Sequence, residues 1–259
     1  MNARSADSNA EVPDWVRKLG ITDRPSGQEQ ARASWNALIS AGRRVLGTGM
    51  DYRVEHLVFS GFLARAQGLH EAAVAAIRAD NPYAAFTLLR AYAENVAAIL
   101  YVKDHPTQLD KFWRELRGPG VQIGRITNHA VSRFPGFKGI YGDLSRYAHP
   151  QALSMLASNQ VVGDREVQWR SAPAFKSDHE AVIACAWVVE LAQSTAQLLV
   201  EFAREFALLP GAPPGPAAGL QAPPSIMSVS TARAISAGRL SRRSRRPRAC
   251  SPPPTPTTR

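Results

Sequence analysis

Cysteine is almost missing from this 259-residue chain: there are two, Cys185 and Cys250. Cys185 falls in an apolar stretch with helical spacing and Cys250 in a stretch with none, so a disulfide between them is not expected. Neither lies at a metal-ligand spacing, and the six histidines form no E-x-x-H or H-x-x-x-H pair. A ferritin-like or zincin-type metal site is therefore unsupported, and neither metal nor cofactor is expected. The chain has no G-x-x-x-x-G-K-[ST] and no G-x-S-x-G, and Gly118-Pro119-Gly120 has no strand before it to make a phosphate loop. No uncharged apolar run reaches the roughly 18 residues of a bilayer span. Residues 84 to 102 come nearest, and Arg90, Glu94 and Asn95 interrupt them. The opening MNARSADSNAEV has no apolar core of a secretory signal. These absences lead to the expectation of a cytoplasmic protein with no membrane partner.

Acidic residues are absent from the last fifty positions. Residues 210 to 259 hold eight arginines, eleven of the nineteen prolines and no Asp or Glu. The formal net charge of +10 thus falls to +2 for residues 1 to 209, so the basic balance describes the tail and not the folded part. With few large apolar residues and no periodicity, 210–259 reads as a disordered tail. Its run GRLSRRSRRPR, Arg239 to Arg248, offers non-specific attraction to nucleic acid or reads as a solvated tail. Residues 1–25 read as a mostly disordered arm with one helical turn near Trp15, and 26–209 as a single domain.

What the chain has in quantity is apolar residues at helical spacing. Asn81 to Lys103, NPYAAFTLLRAYAENVAAILYVK, is the clearest case. Asn81 is a good N-cap and Pro82 suits the first helical position. Between Ala84 and Val102 the only charges are Arg90 and Glu94, four apart and so on one face. The apolar surround implies a helix buried nearly all round, with the two charges paired because a lone buried charge is expensive. Ser26-x-x-Glu29 and Ser177-x-x-Glu180 have capping-box spacing before helices reaching about Leu46 and Leu209. Val54 to Ile77 keeps a three-and-four spacing after Asp51, which pairs this helix with the central one as an antiparallel hairpin. Shorter helices are expected over 107–116, 121–133 and 137–148. Residues 151–175 read as a loop with a small hairpin turning at Gly163-Asp164. The fold class is all-α: a helical bundle of about five to seven helices with at most a small β-hairpin.

Two constellations carry the candidate chemistry. Arg90 and Glu94 form either a structural pair that sets helix register or a pair facing a cleft. Ser145 and His149 share a face at the end of the 137–148 helix, before Pro150 turns the chain. His149 there is either a helix C-cap or a histidine presented for acid–base work. The candidate site residues are therefore Arg90, Glu94, Ser145 and His149. His56, His70, His105, His129 and His179 are scattered and read as structural or solvated.

Leu88-Leu89-Arg90-x-x-x-Glu94, followed by Ser145-x-x-x-His149-Pro150, resembles a bacterial family of helical proteins of unknown function over roughly residues 50 to 205. That family is distantly similar to HEPN helical domains, several of which are ribonucleases of toxin and phage-defence systems. The resemblance implies a helical bundle and, as one reading, a ribonuclease or nucleotide-processing protein. The HEPN spacing of Arg, four to six residues, then His is met only at Arg65-x4-His70, because Arg146 stands two residues too close to His149. The other reading is a non-enzymatic interaction or regulatory module working with a second copy or another protein. Because 210–259 has little apolar surface to bury, a chain ending at Leu209 is expected to melt within a few degrees of full length. A calorimetric comparison checks this, and a large drop would show that the tail docks.

Overall fold

A computed structural model describes residues 11–47, 52–114, 120–134, 136–150, 152–155, 159–162, 166–168 and 171–209. The tail expected over 210–259, the first ten residues, the helix stop at Thr48-Gly49, the cap at Asp51 and the turn at Gly163-Asp164 lie outside the described residues. The elements run α1 (Asp14–Arg17), α2 (Arg24–Ala33), α3 (Trp35–Val45), α4 (Val54–Arg78), α5 (Pro82–Asp104), a 3-10 turn (Pro106–Gln108), α6 (Leu109–Arg114), α7 (Ile123–Arg133), α8 (Phe137–Ala148), α9 (Ala152–Met155), β1 (Gln160–Val162), β2 (Glu166–Gln168) and α10 (Asp178–Glu205). The protein is an all-α bundle, and its strands form one antiparallel hairpin with Val161 opposite Val167.

Local chemistry explains the boundaries. The Asn81 side chain accepts from the Ala84 amide at 3.1 Å and Pro82 sits at the first turn of α5. Asp80, at φ 57°, reverses the chain between α4 and α5, and Arg24 holds its carboxylate at 2.6 Å. The first capping box lies three residues earlier than Ser26-x-x-Glu29: Asp23 is the cap, accepting from the Ser26 amide at 2.8 Å while Ser26 Oγ accepts from the Asp23 amide at 3.0 Å. The helix expected through to Leu46 is broken at Ser34, whose hydroxyl donates to the Ala31 carbonyl at 2.7 Å and meets His70 Nε2 at 3.0 Å. Val16 and Ile21 are fully buried, so the folded unit takes in part of the 1–25 segment that reads as an arm.

Two helices share the centre. α5 and α10 run parallel: Phe86 meets Trp187 near one end, and Lys103 pairs with Glu201 at the other. α10 is the more enclosed, with every residue from Ala181 to Val189 buried. α4 lies antiparallel beside both, and Phe59, Phe62, Phe202 and Phe206 form one aromatic group between α4 and α10. α2 crosses α10 closely at Gly27, where an added Cβ would stand 3.1 Å from Cys185 Cβ. Among the described residues α10 is the helix long and apolar enough to cross a membrane, and 78% of its apolar window is buried inside the protein.

One carboxylate on α10 is out of keeping with this setting. Glu190 is half-buried and has no hydrogen bond or ion pair among the described residues; desolvation alone pushes its pKa from 4.5 up to about 7. Between those two values the folded state holds the proton more tightly than the unfolded chain, so stability falls as pH rises through this window. Glu190→Gln is expected to be more stable than wild type at pH 8, by on the order of 1–3 kcal/mol. The advantage should close by about pH 4, where both states are protonated. Urea melts at the two pH values measure it, and an equal advantage at both would show that ionisation is not the cause.

Candidate functional site

The stripe of α5 that carries Arg90 and Glu94 is less covered than its sequence implies. Thr87 is exposed and Tyr83, Arg90, Ala91, Glu94 and Ala98 are half-buried, so α5 is not buried all round. The two side chains retain 24% and 21% of their exposure, enough water to soften any cost of breaking them. α8 packs over this stripe and supplies a partner from outside the four candidates, Tyr141. Its hydroxyl donates to Glu94 Oε1 at 2.8 Å and accepts from Arg90 Nη2 at 3.2 Å. Arg90 Nη1 donates to His149 Nε2 at 3.2 Å. A guanidinium has no lone pair to offer, so Nε2 is the acceptor and the imidazole proton in this arrangement sits on Nδ1.

The rest of the group is held by stacking and by the helix end. Arg90 Nε lies 3.3 Å from Glu94 Oε1 but out of line for a hydrogen bond, so the pair attracts as charges only. The guanidinium carbon is 5.4 Å from the Tyr141 ring centre, and that ring stacks on Phe137 at 5.6 Å. Burial raises the Tyr141 pKa above its ordinary value; the bond from Arg90 opposes the rise and the bond to Glu94 adds to it. His149 is the exposed C-cap of α8, its amide donating to the Ser145 carbonyl and its own carbonyl accepting from Ser154. A contact between His149 and Glu94 would be the natural guess from the two motifs; instead His149 meets Arg90 and Tyr141 takes the Glu94 oxygen. Ser145 stands apart, since its hydroxyl donates to the Tyr141 carbonyl of its own helix at 2.7 Å.

Arg90, Glu94 and His149 thus come together with Tyr141, and Ser145 does not join them. The described residues form a cleft of about 380 Å³ elsewhere, between α3 and α10, lined in part by Ala37, Arg44, Ala196 and Arg204; none of the four candidates reaches it. The formal Arg65-x4-His70 spacing does not build a site either. Arg65 is exposed, while His70 is buried against Ser34 and Trp35, and burial lowers its pKa.

A second polar group, at the far end of α5, escaped the sequence reading. Asp104 Oδ2 accepts from His129 Nε2 at 2.9 Å and lies 3.3 Å from Arg133 Nε; its Oδ1 lies 3.4 Å from Lys103. Lys103 also pairs with Glu201 at 2.8 Å. His105 donates through Nδ1 to the Tyr101 carbonyl at 2.9 Å, stacks on the Tyr101 ring at 4.5 Å and meets the His129 ring edge-on at 4.7 Å. The one signal in the sequence is His129-x-x-x-Arg133, a spacing that puts both on the same face of α7. No set of residues able to hold a metal ion is found among the described residues. Searches of protein-family models, curated proteins and solved structures give no match to this chain.

The joint between α5 and α8 is testable by a double-mutant cycle. Arg90→Ala is expected to cost about 1–3 kcal/mol, less than the ~3–5 kcal/mol of breaking a fully buried pair. Tyr141→Phe is expected to cost about 1 kcal/mol. The two should couple by on the order of 0.5–3 kcal/mol, because they share the bond to each other and the partner Glu94. Additive costs in urea melts would show that the three side chains do not act as one group.

Proposed function

We propose that the chain is a cytoplasmic, non-enzymatic helical interaction module, and that Arg90, Tyr141, Glu94 and His149 are its internal fastening. One observation carries this reading. The group bonds largely within itself: Tyr141 donates its proton to Glu94, Arg90 donates through its two terminal nitrogens to Tyr141 and His149, and the His149 Nε2 lone pair is taken. A general base needs a free lone pair within reach of a substrate proton, and a reacting group needs a pocket that excludes water. The cleft between α3 and α10 is lined by none of these four residues. The partner of such a module is a second copy or another protein, and exposed Tyr52, Val54 and Leu57, gathered at the start of α4, give it apolar surface to meet.

The alternative is the HEPN-like ribonuclease or nucleotide-processing reading, and His149 decides between them because it is exposed and terminal. Wild type and His149→Ala are compared on single-stranded RNA and on nucleoside triphosphates under single-turnover conditions. No turnover by either protein, with a small change in melting temperature, is the expected outcome. Turnover by wild type that disappears in a folded His149→Ala would replace the module with an enzyme.

A further inference from the structure

The polar group at the end of α5 is arranged unlike the fastening between α5 and α8, because it is left open. His129 Nε2 is committed to Asp104 and His105 Nδ1 to the Tyr101 carbonyl. The remaining nitrogens, His129 Nδ1 and His105 Nε2, have no hydrogen-bond partner among the described residues, and their rings stand 4.7 Å apart. Arg133 uses only Nε toward Asp104, which leaves its terminal nitrogens to donate elsewhere. Arg125 is exposed, has no carboxylate partner among the described residues, and rests its guanidinium 5.7 Å from the Tyr101 ring centre. The Tyr101 hydroxyl is buried without a hydrogen-bond partner.

The charge that this group would favour in a ligand follows from what is already used. A cation arriving here would find a single unshared carboxylate group at most, and there is none: Asp104 gives Oδ1 to Lys103 and Oδ2 to His129 and Arg133, while Glu201 is held by Lys103 and Gln197. Donors, by contrast, are in surplus on Arg125 and Arg133. The C-terminal end of a helix repels anions. At α5 that repulsion is reduced, because the Tyr101 carbonyl is capped by His105 and Lys103 stands in the last turn. A planar guanidinium with two free donors matches the oxygens of a phosphate group.

We propose that His105, His129, Arg125 and Arg133 form a binding site for a phosphate group, approached between the end of α5 and the exposed side of α7. Asp104 is the positioning residue: it fixes the His129 ring through Nε2, so that Nδ1 faces the ligand, and it orients Arg133. Tyr101 is the floor against which His105 and Arg125 are stacked. The group recognised is the phosphate itself, whether free, carried by a small monoester, or repeated along a nucleic-acid backbone.

The test reads the imidazole resonances of the full chain by NMR during titration with inorganic phosphate, a nucleoside 5′-monophosphate and a short single-stranded oligonucleotide. Sodium chloride at matched ionic strength is the reference. The expected result is saturable shifts at His105 and His129 and none at His149. Arg125→Ala with Arg133→Ala, both exposed changes, should weaken binding by about tenfold or more. An oligonucleotide that saturates these resonances at lower concentration than phosphate identifies a phosphodiester source. Equal or weaker saturation identifies a free phosphate or monoester. Shifts that only follow ionic strength, or an affinity unchanged in the double arginine variant, would overturn the site. Reading two named histidines keeps any attraction of the Arg239–Arg248 run out of the result.

Discussion

Everything in this bundle depends on α5 and α10 being buried against each other. Phe86 meets Trp187 between them, and each helix carries further large buried apolar side chains: Leu89, Val96 and Leu100 on one, Val188, Leu191 and Leu198 on the other. Removing such a side chain from water contributes roughly 1.5–3 kcal/mol, so together they outweigh any single polar contact in the molecule. The other elements are fitted to this pair. α4 closes one flank through its phenylalanines, α2 crosses at Gly27, and α8 lies over the polar stripe of α5. Tyr147 of α8 reaches back to α10 as well, donating to the buried Glu180 carboxylate at 2.7 Å.

The polar side chains follow from the same constraint. Charge is admitted to the two central helices only where another element can reach it. Arg90 and Glu94 are met by Tyr141, and Lys103 and Asp104 by Glu201, His129 and Arg133. Glu190 is the exception among these, and its raised pKa records the lack of a partner. The two polar groups then part ways. The one under α8 satisfies itself, and the one at the end of α5 keeps donors in reserve.

Much of the helical architecture was legible because it is written locally. Asn81-Pro82 and the apolar spacing after it mark α5, and Ser177 marks α10 by accepting from the Glu180 amide. The second half of that box is absent, since Glu180 turns to Tyr147 and Lys176 instead. What spacing could not show was tertiary. At the break at Ser34 the hydroxyl meets His70, which is 36 positions away. Burial on all sides of α10 is not legible in spacing, because small residues such as Ala181, Ala184 and Ala192 do not announce it. Arg90 and Glu94 stood out as charges among apolar neighbours, yet Tyr141 was not among the candidates, because the partners of a tyrosine in an amphipathic helix are known only once its hydroxyl is placed. His105 and His129 read as scattered, and Asp104 drew no notice, for a related reason: only the packing of α7 on α5 brings position 129 to position 104.

The parallel course of α5 and α10 also governs how the chain reaches its native state. Parallel neighbours cannot be joined by a tight turn, so residues 105 to 177 form one long return between them. α4 and α5, by contrast, are joined at Asp80-Asn81 and meet through local contacts. Closing a loop costs entropy that grows with its length, and contacts of large sequence separation slow folding. The α4–α5 hairpin is therefore expected to be an early structure, and α10 a late arrival that completes the core. Until it docks, the apolar seam of α5 faces water, which makes this the interval in which aggregation competes with folding.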